Sequence, residues 1–489
     1  MAPSNRPALR KSLGALGLFA LAFGSMIGVG WVTATGSWLE QAGPLGAMFA
    51  FLAGGAVMLC IGFCYAEATP MLPVAGGEVA YAYKAFGTGK SFIVGWGLAF
   101  GYITISGFEA ISIGKVLSFM FPAIDAWPLY EVAGDTVYGS HLLLALVCTA
   151  YMTWLHYRGV AQAARLQTAL TFAFVAATLA FIVAGIGGGK IEHLTPLFAS
   201  TETHSWWGGL LAVFVTVPFW FVGFDTIPQA AEEADASVKP RSLAFLILAS
   251  IAAATLFYVV LILSVAVCAP RSQIVGADLP VAAAFQATFE SKFLVYLVLG
   301  AALLGLFTSW NGFFLAGSRV LFSLGRGHII PAGFGRTHAR FDTPHRAVLC
   351  TGGLTLVAPL LGREALLALV NAGSLCIVVA FLGVALSVMR LRRSASELHR
   401  PYRVPGGRLI PLLAVLGALL MLGAMIIPGS PAALSWPREI IILAVFVAAG
   451  VVFWMGGRAG RSSISEAHRA YLILEDYAED RSLKAGESG

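Results

Sequence analysis

Charged residues are scarce in this sequence. Of its 489 residues only 11% are Asp, Glu, Lys or Arg, whereas 58% are hydrophobic, and the mean hydropathy is +0.82. A typical soluble domain carries about 25% charged residues. The composition therefore excludes an ordinary soluble domain and indicates a protein that lies within a membrane.

Motifs that support catalysis or hold metals are also missing. The sequence has no nucleophile elbow, phosphate-binding loop or HExxH motif, and no soluble stretch long enough to house a catalytic domain. Its cysteines follow neither a CxxC nor a Cys/His metal spacing, so they are interpreted as small hydrophobic residues. We therefore expect no enzyme activity and no resident cofactor. The six cysteines are Cys60, Cys64, Cys148, Cys268, Cys350 and Cys376.

Long apolar segments fill most of the chain. About 20 apolar residues suffice for a helix to cross the hydrocarbon core of a bilayer, and the first segment is too long for a cleavable signal peptide. Polar tails are expected at 1–12 and 457–489, and a short amphipathic helix on the membrane surface near 73–83. The twelve predicted spans are 13–38, 44–68, 91–120, 140–156, 163–186, 206–231, 242–268, 295–325, 345–361, 366–390, 410–427 and 437–456.

Lysine and arginine are distributed unevenly between the predicted loops. If the N-terminus is cytoplasmic, 25 of the 31 fall in cytoplasmic segments and 5 in outer loops. Such a bias is the usual orientation signal of multi-pass membrane proteins. It predicts an inner-membrane protein with both termini in the cytoplasm. The net charge of +6 is thus a topology signal and does not indicate nucleic-acid binding.

The first span contains glycines where a lipid-facing helix would not favour them. Gly24, Gly28 and Gly30 lie within one apolar stretch, and each weakens a helix. Unpaired backbone groups at membrane depth are tolerated only inside protein or along a wet cavity. The pattern predicts a broken helix whose exposed N–H groups bind an anionic substrate group. The alternative is a close helix–helix contact through small residues.

The sixth span is interrupted in the same way. Pro218, Gly223, Asp225 and Pro228 occur within one apolar segment, and proline removes a backbone donor and clashes with the preceding turn. Interrupted helices at corresponding positions of two halves indicate a transporter binding site. Spans 1 and 6 are five spans apart, and a repeat of an odd number of spans must be inverted, because its second copy starts from the opposite side. We therefore predict an all-α membrane protein of twelve transmembrane helices, with repeats over 13–186 and 206–390 and two extra spans over 410–456.

Several motifs, in this order, give the chain a family resemblance. It resembles the amino acid–polyamine–organocation permeases, which have the leucine-transporter fold, and the likeness covers spans 1 to 10. Each motif alone is weak, but their combination and order are specific for the family. The motifs are Gly24-Ser25-Met26-Ile27-Gly28-Val29-Gly30, Tyr65-Ala66-Glu67 with Pro73 to Glu78, Gly223-Phe224-Asp225 with Glu232-Glu233, Ser318-Arg319 through Pro331, and Arg400 to Gly406.

The resemblance implies a way of holding an amino acid. The substrate carboxylate would lie on the backbone N–H groups of Gly28, Val29 and Gly30. The substrate amino group would meet carbonyl groups just before the two breaks. Phe219 and Phe224 would close the site as aromatic gates, or would merely pack. The predicted binding residues are Ser25, Met26, Ile27, Gly28, Val29, Gly30, Phe219, Val222, Gly223 and Phe224.

Two carboxylates lie within predicted spans, where ionisable groups are costly and usually functional. Asp225 stands where the family commonly has glutamate, and it could be linked to a proton or could lock the break. Glu109 is not part of the family pattern. It could face the cavity and select cationic substrates, or could pair with Lys115. Six residues is a poor helical spacing for a direct pair, which favours the cavity.

A coupling ion is suggested by two adjacent hydroxyl residues in span 8. In sodium-coupled members of this fold, such residues hold the ion against span-1 carbonyls. Here they are Thr308 and Ser309, and the carbonyls are those near Ala22 and Ser25. Many proton-coupled or exchanging relatives place a span-5 lysine there, whereas this chain has Phe174 at the matching position. Sodium, proton coupling and exchange all remain open, as does simple bonding of Thr308 and Ser309 to their own helix.

These observations predict a secondary active transporter for amino acids that works by alternating access, with ion-coupled symport. One alternative is an organic amine permease, for ethanolamine or a polyamine, which Glu109 and Asp225 would suit. Another is an amino acid exchanger. A non-transporting membrane sensor is the third, but the short C-terminal tail lacks an output domain. The expected partners are a small-molecule substrate and the lipid bilayer, and nothing in the sequence sets an oligomeric state.

Overall fold

Helices account for nearly all of the regular structure. The computed structural model describes residues 6–132, 135–200 and 205–478. Within these ranges, nine helices are long and apolar enough to cross a membrane. The expectation of a helical membrane protein is therefore confirmed. The outermost parts of the two predicted tails, residues 1–5 and 479–489, lie outside the described residues.

The described chain contains eighteen α-helices and one two-stranded antiparallel ribbon. Short 3₁₀ helices occur at Pro122–Ile124, Ile191–Leu194, Val217–Phe221, Ala231–Glu233, Ala332–Gly335, Ala358–Leu361 and Glu475–Ala478. The helices are α1 Ala15–Met26, α2 Gly30–Met71, α3 Gly77–Phe86, α4 Thr88–Met120, α5 Gly139–Arg158, α6 Val160–Gly188, α7 Trp206–Phe214, α8 Thr226–Ala230, α9 Pro240–Cys268, α10 Arg271–Ile274, α11 Pro280–Phe289, α12 Lys292–Arg326, α13 His345–Val357, α14 Arg363–Ser394, α15 Leu409–Ile426, α16 Arg438–Gly456, α17 Arg458–Ser463 and α18 Glu466–Leu474; the strands are β1 Pro128–Val132 and β2 Asp135–Tyr138.

Every predicted span coincides with helical structure, although the helices do not divide the chain in the same way. The first span is split between α1, which has only 12 residues, and the start of α2. The rest of α2 is the second span, because the helix continues through a kink at Gly43, where φ is 73°. A Cβ at Gly43 would meet the backbone of Ala199 and Leu197. The kink therefore needs glycine both for its dihedral angle and for space.

Two long helices form the centre of the bundle. α12 packs against α4, α6 and α1, and α4 also packs against α14. α2 packs against α9 and α7, and α1 also packs against α9. The interrupted segments at 27–29 and 215–225 therefore lie inside the bundle, surrounded by helices.

The first and last described segments of the chain meet on one side of the bundle, which is called the terminal face below. Arg6 donates to the carbonyl oxygen of Leu472 at 3.1 Å and pairs with Glu475 at 3.2 Å. It also pairs with Glu232, which follows α8. The N-terminal segment and α18 therefore close over the same end of the bundle.

The segment expected to lie on the membrane surface is instead buried. Residues 77–83 of α3 are all buried, between α4, α14 and α8. The Ser91 hydroxyl donates to the carbonyl oxygen of Val79 at 2.7 Å. The prediction of a surface helix was wrong. The amphipathic pattern of α3 does not reveal that neighbouring helices cover its polar side as well as its apolar side.

Candidate substrate-binding site

The first helix break leaves backbone donors unused at the centre of the bundle. α1 ends at Met26, and α2 begins at Gly30. The N–H groups of Gly28, Val29 and Gly30 form no hydrogen bond with any residue that the structure describes. The first N–H groups of a helix have no partner within it and carry partial positive charge. This turn is therefore ready to accept an anionic group.

The second break lies directly against the first. After α7 the chain forms the 3₁₀ helix Val217–Phe221, extends at Val222, and turns at Gly223 before α8 begins. Gly223 has a φ of 132°, and a Cβ there would lie 2.6 Å from the nitrogen of Met26. The close approach of the two broken segments therefore requires a glycine. Pro218 and Gly223 are the sequence features that make the interruption.

Glycines of α12 let that helix approach the first break. A Cβ at Gly305 would lie 2.8 Å from the carbonyl oxygen of Ile27 and 3.0 Å from that of Gly28. A Cβ at Gly312 would overlap the hydroxyl of Ser25. That hydroxyl donates to the carbonyl oxygen of Leu21 at 2.5 Å. The carbonyl oxygens of Ile27 and Gly28 therefore lie close to α12, where only a glycine leaves room for them.

Glu109 of α4 reaches this break. Ser309 donates to its Oε1 at 2.7 Å, and a Cβ at Gly28 would overlap the same oxygen. Its other oxygen, Oε2, is buried and has no hydrogen-bond partner among the described residues. Of the two placements considered for Glu109, the structure shows the cavity and no pair with Lys115. This carboxylate therefore borders the unused N–H groups.

Asp225 lies at the far end of the second break and is fully buried. Its Oδ1 accepts from the N–H of Gly223 at 2.8 Å, and its Oδ2 accepts from the Tyr102 hydroxyl at 2.5 Å. Both carboxylate oxygens are thus engaged in fixing the turn to α4. Glu78 lies nearby, where Gln229 donates to it. Of the two roles expected for Asp225, this geometry fits the polar lock on the break.

The hydroxyl pair predicted to hold sodium faces the first break. Thr308 donates back to the carbonyl oxygen of Gly305 at 2.9 Å, whereas Ser309 donates to Glu109. Ala22 is fully buried in α1. A Cβ at Gly24 would lie 2.9 Å from the Cβ of Thr308. The structure therefore brings α1 and the Thr308–Ser309 pair together.

Span 5 contributes residues that the sequence reasoning missed. Gln167 and Thr171 of α6 donate to the carbonyl oxygen of Ala20, at 3.0 and 3.2 Å. Asn311 donates to Gln167 and lies 2.9 Å from a ring nitrogen of His156. Gln167 lies seven residues before Phe174 and therefore on the same face of α6. This spacing is the sequence feature that could have identified Gln167. An amide group of span 5 therefore contacts the α1 backbone, seven residues before Phe174, the position that matches the lysine of the relatives.

Two connected cavities lead to the break. The inner one, called the central cavity, has a volume of about 70 Å³. The outer one, called the vestibule, has about 340 Å³ and includes the connection between α15 and α16 at 431–433. That connection lies away from the terminal face, so the vestibule opens on the opposite side. Both cavities are lined by Gly30, Phe108, Phe219, Trp220, Val222 and Val370.

The two predicted aromatic gates are in different places. Phe219 lines both cavities and meets the Trp220 ring edge-on, with centroids 5.2 Å apart. Phe224 lies outside both linings and packs against Tyr65 and Phe381, at 5.1 and 5.4 Å between centroids. The turn at Gly223 lies between the two residues. The cavity aromatics not found from sequence include Trp220, Phe108 and Phe313.

A tyrosine of α9 joins the two breaks. The hydroxyl of Tyr258 lies 3.2 Å from the carbonyl oxygens of Met26 and Trp220. These carbonyls belong to the ends of the two half-helices that precede the breaks. Since a carbonyl oxygen has two lone pairs, each keeps a lone pair for another donor. No sequence feature pointed to this residue, because a tyrosine in an apolar span is commonplace.

Comparison with known proteins places these features in context. Residues 13–453 match the family model described as amino acid permease. The branched-chain amino acid permease BcaP of Bacillus subtilis is 28% identical over 86% of this chain and 89% of its own length. The methylthioribose transporter of the same organism is 26% identical over 91% of this chain and 93% of its own length. The mouse Asc-type amino acid transporter 1 is 28% identical, over 95% and 84%.

The family match spans every helix from α1 to the last span, including both breaks and both cavities. It agrees with the motif order seen in the sequence and with the apolar helices of the structure. It also agrees with the expectation of a multi-pass membrane protein that is a transporter and not an enzyme. The chain belongs to the amino acid permease family.

Proposed function

We propose that this protein carries amino acids across a membrane by alternating access. The observation that carries the proposal is the group of unused N–H donors at residues 28–30, at the end of a cavity inside the bundle. A zwitterion needs donors at one end and acceptors at the other. The N–H groups would hold its carboxylate, and the carbonyls near Met26, Phe219 and Val222 its ammonium group.

The walls of the central cavity support an apolar side chain on the substrate. Apart from Glu109, Ser25, Ser309 and Tyr258, its lining is glycine, aliphatic or aromatic. Two of the relatives compared above are described as a branched-chain amino acid permease and an Asc-type amino acid transporter. We therefore propose neutral amino acids with small or aliphatic side chains as the first class to test.

The transport cycle follows from which side is open. In this structure the vestibule opens away from the terminal face, which is closed by the N-terminal segment and α18. We propose twelve spans with an inverted five-span repeat, in which spans 1, 2, 6 and 7 rock against spans 3, 4, 8 and 9. The lysine and arginine bias supports cytoplasmic termini in an inner membrane. The structure would then be an outward-directed state.

Sodium stays our prediction for the coupling ion, held by Thr308, Ser309 and carbonyls near Ala22 and Ser25. The hydroxyls of Thr308 and Ser309 already donate, to Gly305 and Glu109. A donating hydroxyl keeps its lone pairs, so these bonds leave oxygen ligands for a hard cation. Proton coupling and exchange are the alternatives to be separated from it.

Purified protein in liposomes tests this function. Uptake of radiolabelled alanine, leucine, serine, arginine and ethanolamine is measured with an inward sodium gradient, with a proton gradient, and with unlabelled amino acid inside. We expect saturable uptake of neutral amino acids and little of ethanolamine. Uptake of ethanolamine alone would replace the proposal with an organic amine permease. Uptake only against internal amino acid would make the protein an exchanger.

A further inference from the structure

A third cavity lies apart from the substrate path, between α16 and the helices α4, α12, α13 and α14. It has a volume of about 450 Å³, and none of its lining residues also lines the vestibule or the central cavity. Three residues of its rim, Leu354, Ile441 and Val445, are more than half exposed. The cavity is therefore a groove that opens sideways from the bundle, and it is called the lateral groove.

The walls of the lateral groove are apolar throughout. Every residue that lines it is hydrophobic. The indole Nε1 of Trp96, in this lining, already donates to the carbonyl oxygen of Phe446 at 3.2 Å. Ordered water needs two or more polar partners, and these walls do not supply them. In a chain that spans a membrane, a hydrocarbon chain is the occupant that restores contacts to the lining atoms.

The lateral groove has the length and direction of a lipid chain in one leaflet. Along α16 it extends from Ile441 to Phe453, a rise of about 18 Å at 1.5 Å per residue. One leaflet supplies about 15 Å of a hydrocarbon core about 30 Å thick. The Phe453 ring lies 6.0 Å from that of Phe334, in the segment that follows α12. The groove therefore ends beside the terminal face.

Positive charge lies at this end of the lateral groove. Arg346, near the start of α13, precedes the groove residues Cys350 and Leu354 by four and eight positions and so shares their face of the helix. Its guanidinium lies beside the segment that closes the groove, since a Cβ at Gly333 would be 2.6 Å from Nη1. Arg346 is exposed and has no hydrogen bond or ion pair with any described residue. Arg458, also exposed, follows α16 at the same end.

We propose that the lateral groove binds one acyl chain of an anionic phospholipid from the leaflet at the terminal face, with the lipid phosphate on Arg346. An apolar channel that ends at an unpaired guanidinium complements the two parts of such a lipid. Within the bundle, α16 packs against α14 and α4. The lipid fills the remaining space toward α13 and so joins the last span to the bundle. The inference is independent of which substrate is carried.

Native mass spectrometry of the purified, delipidated protein tests the site. The protein in detergent is titrated with phosphatidylglycerol, with phosphatidylcholine of the same acyl chains, and with inorganic phosphate. The wild type should bind one phosphatidylglycerol at least about tenfold more tightly than phosphatidylcholine, since hydrogen bonds to charged groups contribute about 1.5–3 kcal/mol. It should not retain inorganic phosphate, which has no chain for the groove.

Two variants and two matched controls locate the lipid. Arg346→Gln should reduce the preference for phosphatidylglycerol to within about twofold, and Ala449→Phe, which fills the lateral groove, should abolish binding of both lipids. Arg408→Gln alters another exposed arginine, close to the pair of Glu67 and Arg392 on the terminal face. Ala448→Phe alters the exposed neighbour of Ala449, outside the lining. Both controls should bind like the wild type.

The midpoint of thermal unfolding gives a second readout. Phosphatidylglycerol should raise it in the wild type and in both controls, and should leave it unchanged in Ala449→Phe. Equal binding of the two lipids by the wild type, or an unchanged preference in Arg346→Gln, would overturn the proposal. Retention of inorganic phosphate alone would replace the lipid by a simple anion site. A two-chain mass that Ala449→Phe reduces to one chain would show that a second copy of the protein occupies the groove instead.

Discussion

Two regions of this protein treat buried carboxylates in opposite ways. On the terminal face, Glu233 is paired with Arg319 at 2.6 Å, and Glu232 with Arg326 at 2.8 Å. In the centre, Glu109 has a hydroxyl as its only hydrogen-bond partner among the described residues, and Asp225 has a hydroxyl and a backbone N–H. Burial is nearly complete in both regions, so the difference lies in the partners.

The difference indicates what each region is for. A buried carboxylate with an arginine is a fixed structural pair, since removal of either member leaves an uncompensated charge. The terminal face is held shut by such pairs, including Glu67 with Arg392 and Arg400. A buried carboxylate without a cation can change its protonation or meet a ligand. The central region therefore has the groups that can respond to a substrate.

The largest effect is expected at the terminal face. Arg319→Ala should lower the free energy of unfolding by about 3–5 kcal/mol, because Glu233 is left buried without its partner. The midpoint of thermal unfolding in detergent, read by tryptophan fluorescence, measures it. The double variant Arg319→Met with Glu233→Gln should recover most of the loss. If Arg319→Ala unfolds like the wild type, this pair does not stabilise the terminal face.

Gly30→Leu should abolish binding while leaving the fold intact. A Cβ at Gly30 would overlap the Trp220 ring, so the side chain would fill the space in front of the N–H groups. The loss of two charge-assisted hydrogen bonds, each worth about 1.5–3 kcal/mol, predicts at least about a hundredfold weaker binding. Gly300→Leu is the control, since a Cβ there meets open space. Normal uptake by Gly30→Leu would refute the assigned site.

Replacing both Thr308 and Ser309 by alanine tests the sodium site. The change would remove two of the oxygen ligands and should raise the sodium concentration for half-maximal uptake by more than about tenfold. Uptake is measured against sodium concentration at fixed pH and voltage. A wild type that works equally in sodium and in choline medium would exclude sodium as the coupling ion and leave a proton at Glu109 or Asp225.

Asp225→Asn tests whether the charge of this side chain matters apart from its shape. It keeps the size of the side chain but weakens the contact with Tyr102, and hydrogen bonds to charged groups are worth about 1.5–3 kcal/mol. We expect transport to fall by about tenfold, with a changed pH profile. Tyr102→Phe removes the same contact from the other side and should not add to the effect in the double variant. Unchanged transport and pH profile for Asp225→Asn would mean that the charge has no role.

The smallest effect is expected where a carboxylate of the terminal face is exposed. Glu466 accepts from the Tyr83 hydroxyl at 2.6 Å and pairs with Arg469, but its side chain is 65% exposed. Burial raises the pKa of Tyr83, so its hydroxyl remains a donor at neutral pH. Because exposed ion pairs contribute at most about 1 kcal/mol to stability, Glu466→Gln should lower the free energy of unfolding by less than that. A loss of stability as large as that caused by Arg319→Ala would show that burial does not explain the difference between the two ion pairs.

The sequence predicted which segments are helical and where the two breaks lie, and for a clear reason. Apolar length sets which segments can form buried helices, and glycine and proline act locally on the backbone. The interruptions near Gly28 and Gly223 could therefore be found from sequence alone. The prediction that residues 73–83 lie on the membrane surface was wrong, because the burial of a helix depends on the elements that pack against it.

What the sequence by itself determined is the class of protein, the positions of the breaks and the presence of carboxylates at membrane depth, since these depend on composition and local backbone preferences. Only the tertiary structure decided what each carboxylate meets. Glu109 borders the unused N–H groups of one break, whereas Asp225 locks the other to Tyr102. Tyr258, Gln167 and Trp220 likewise reach the breaks from distant spans. Such contacts depend on how helices far apart in the chain pack together, and residue spacing does not record that.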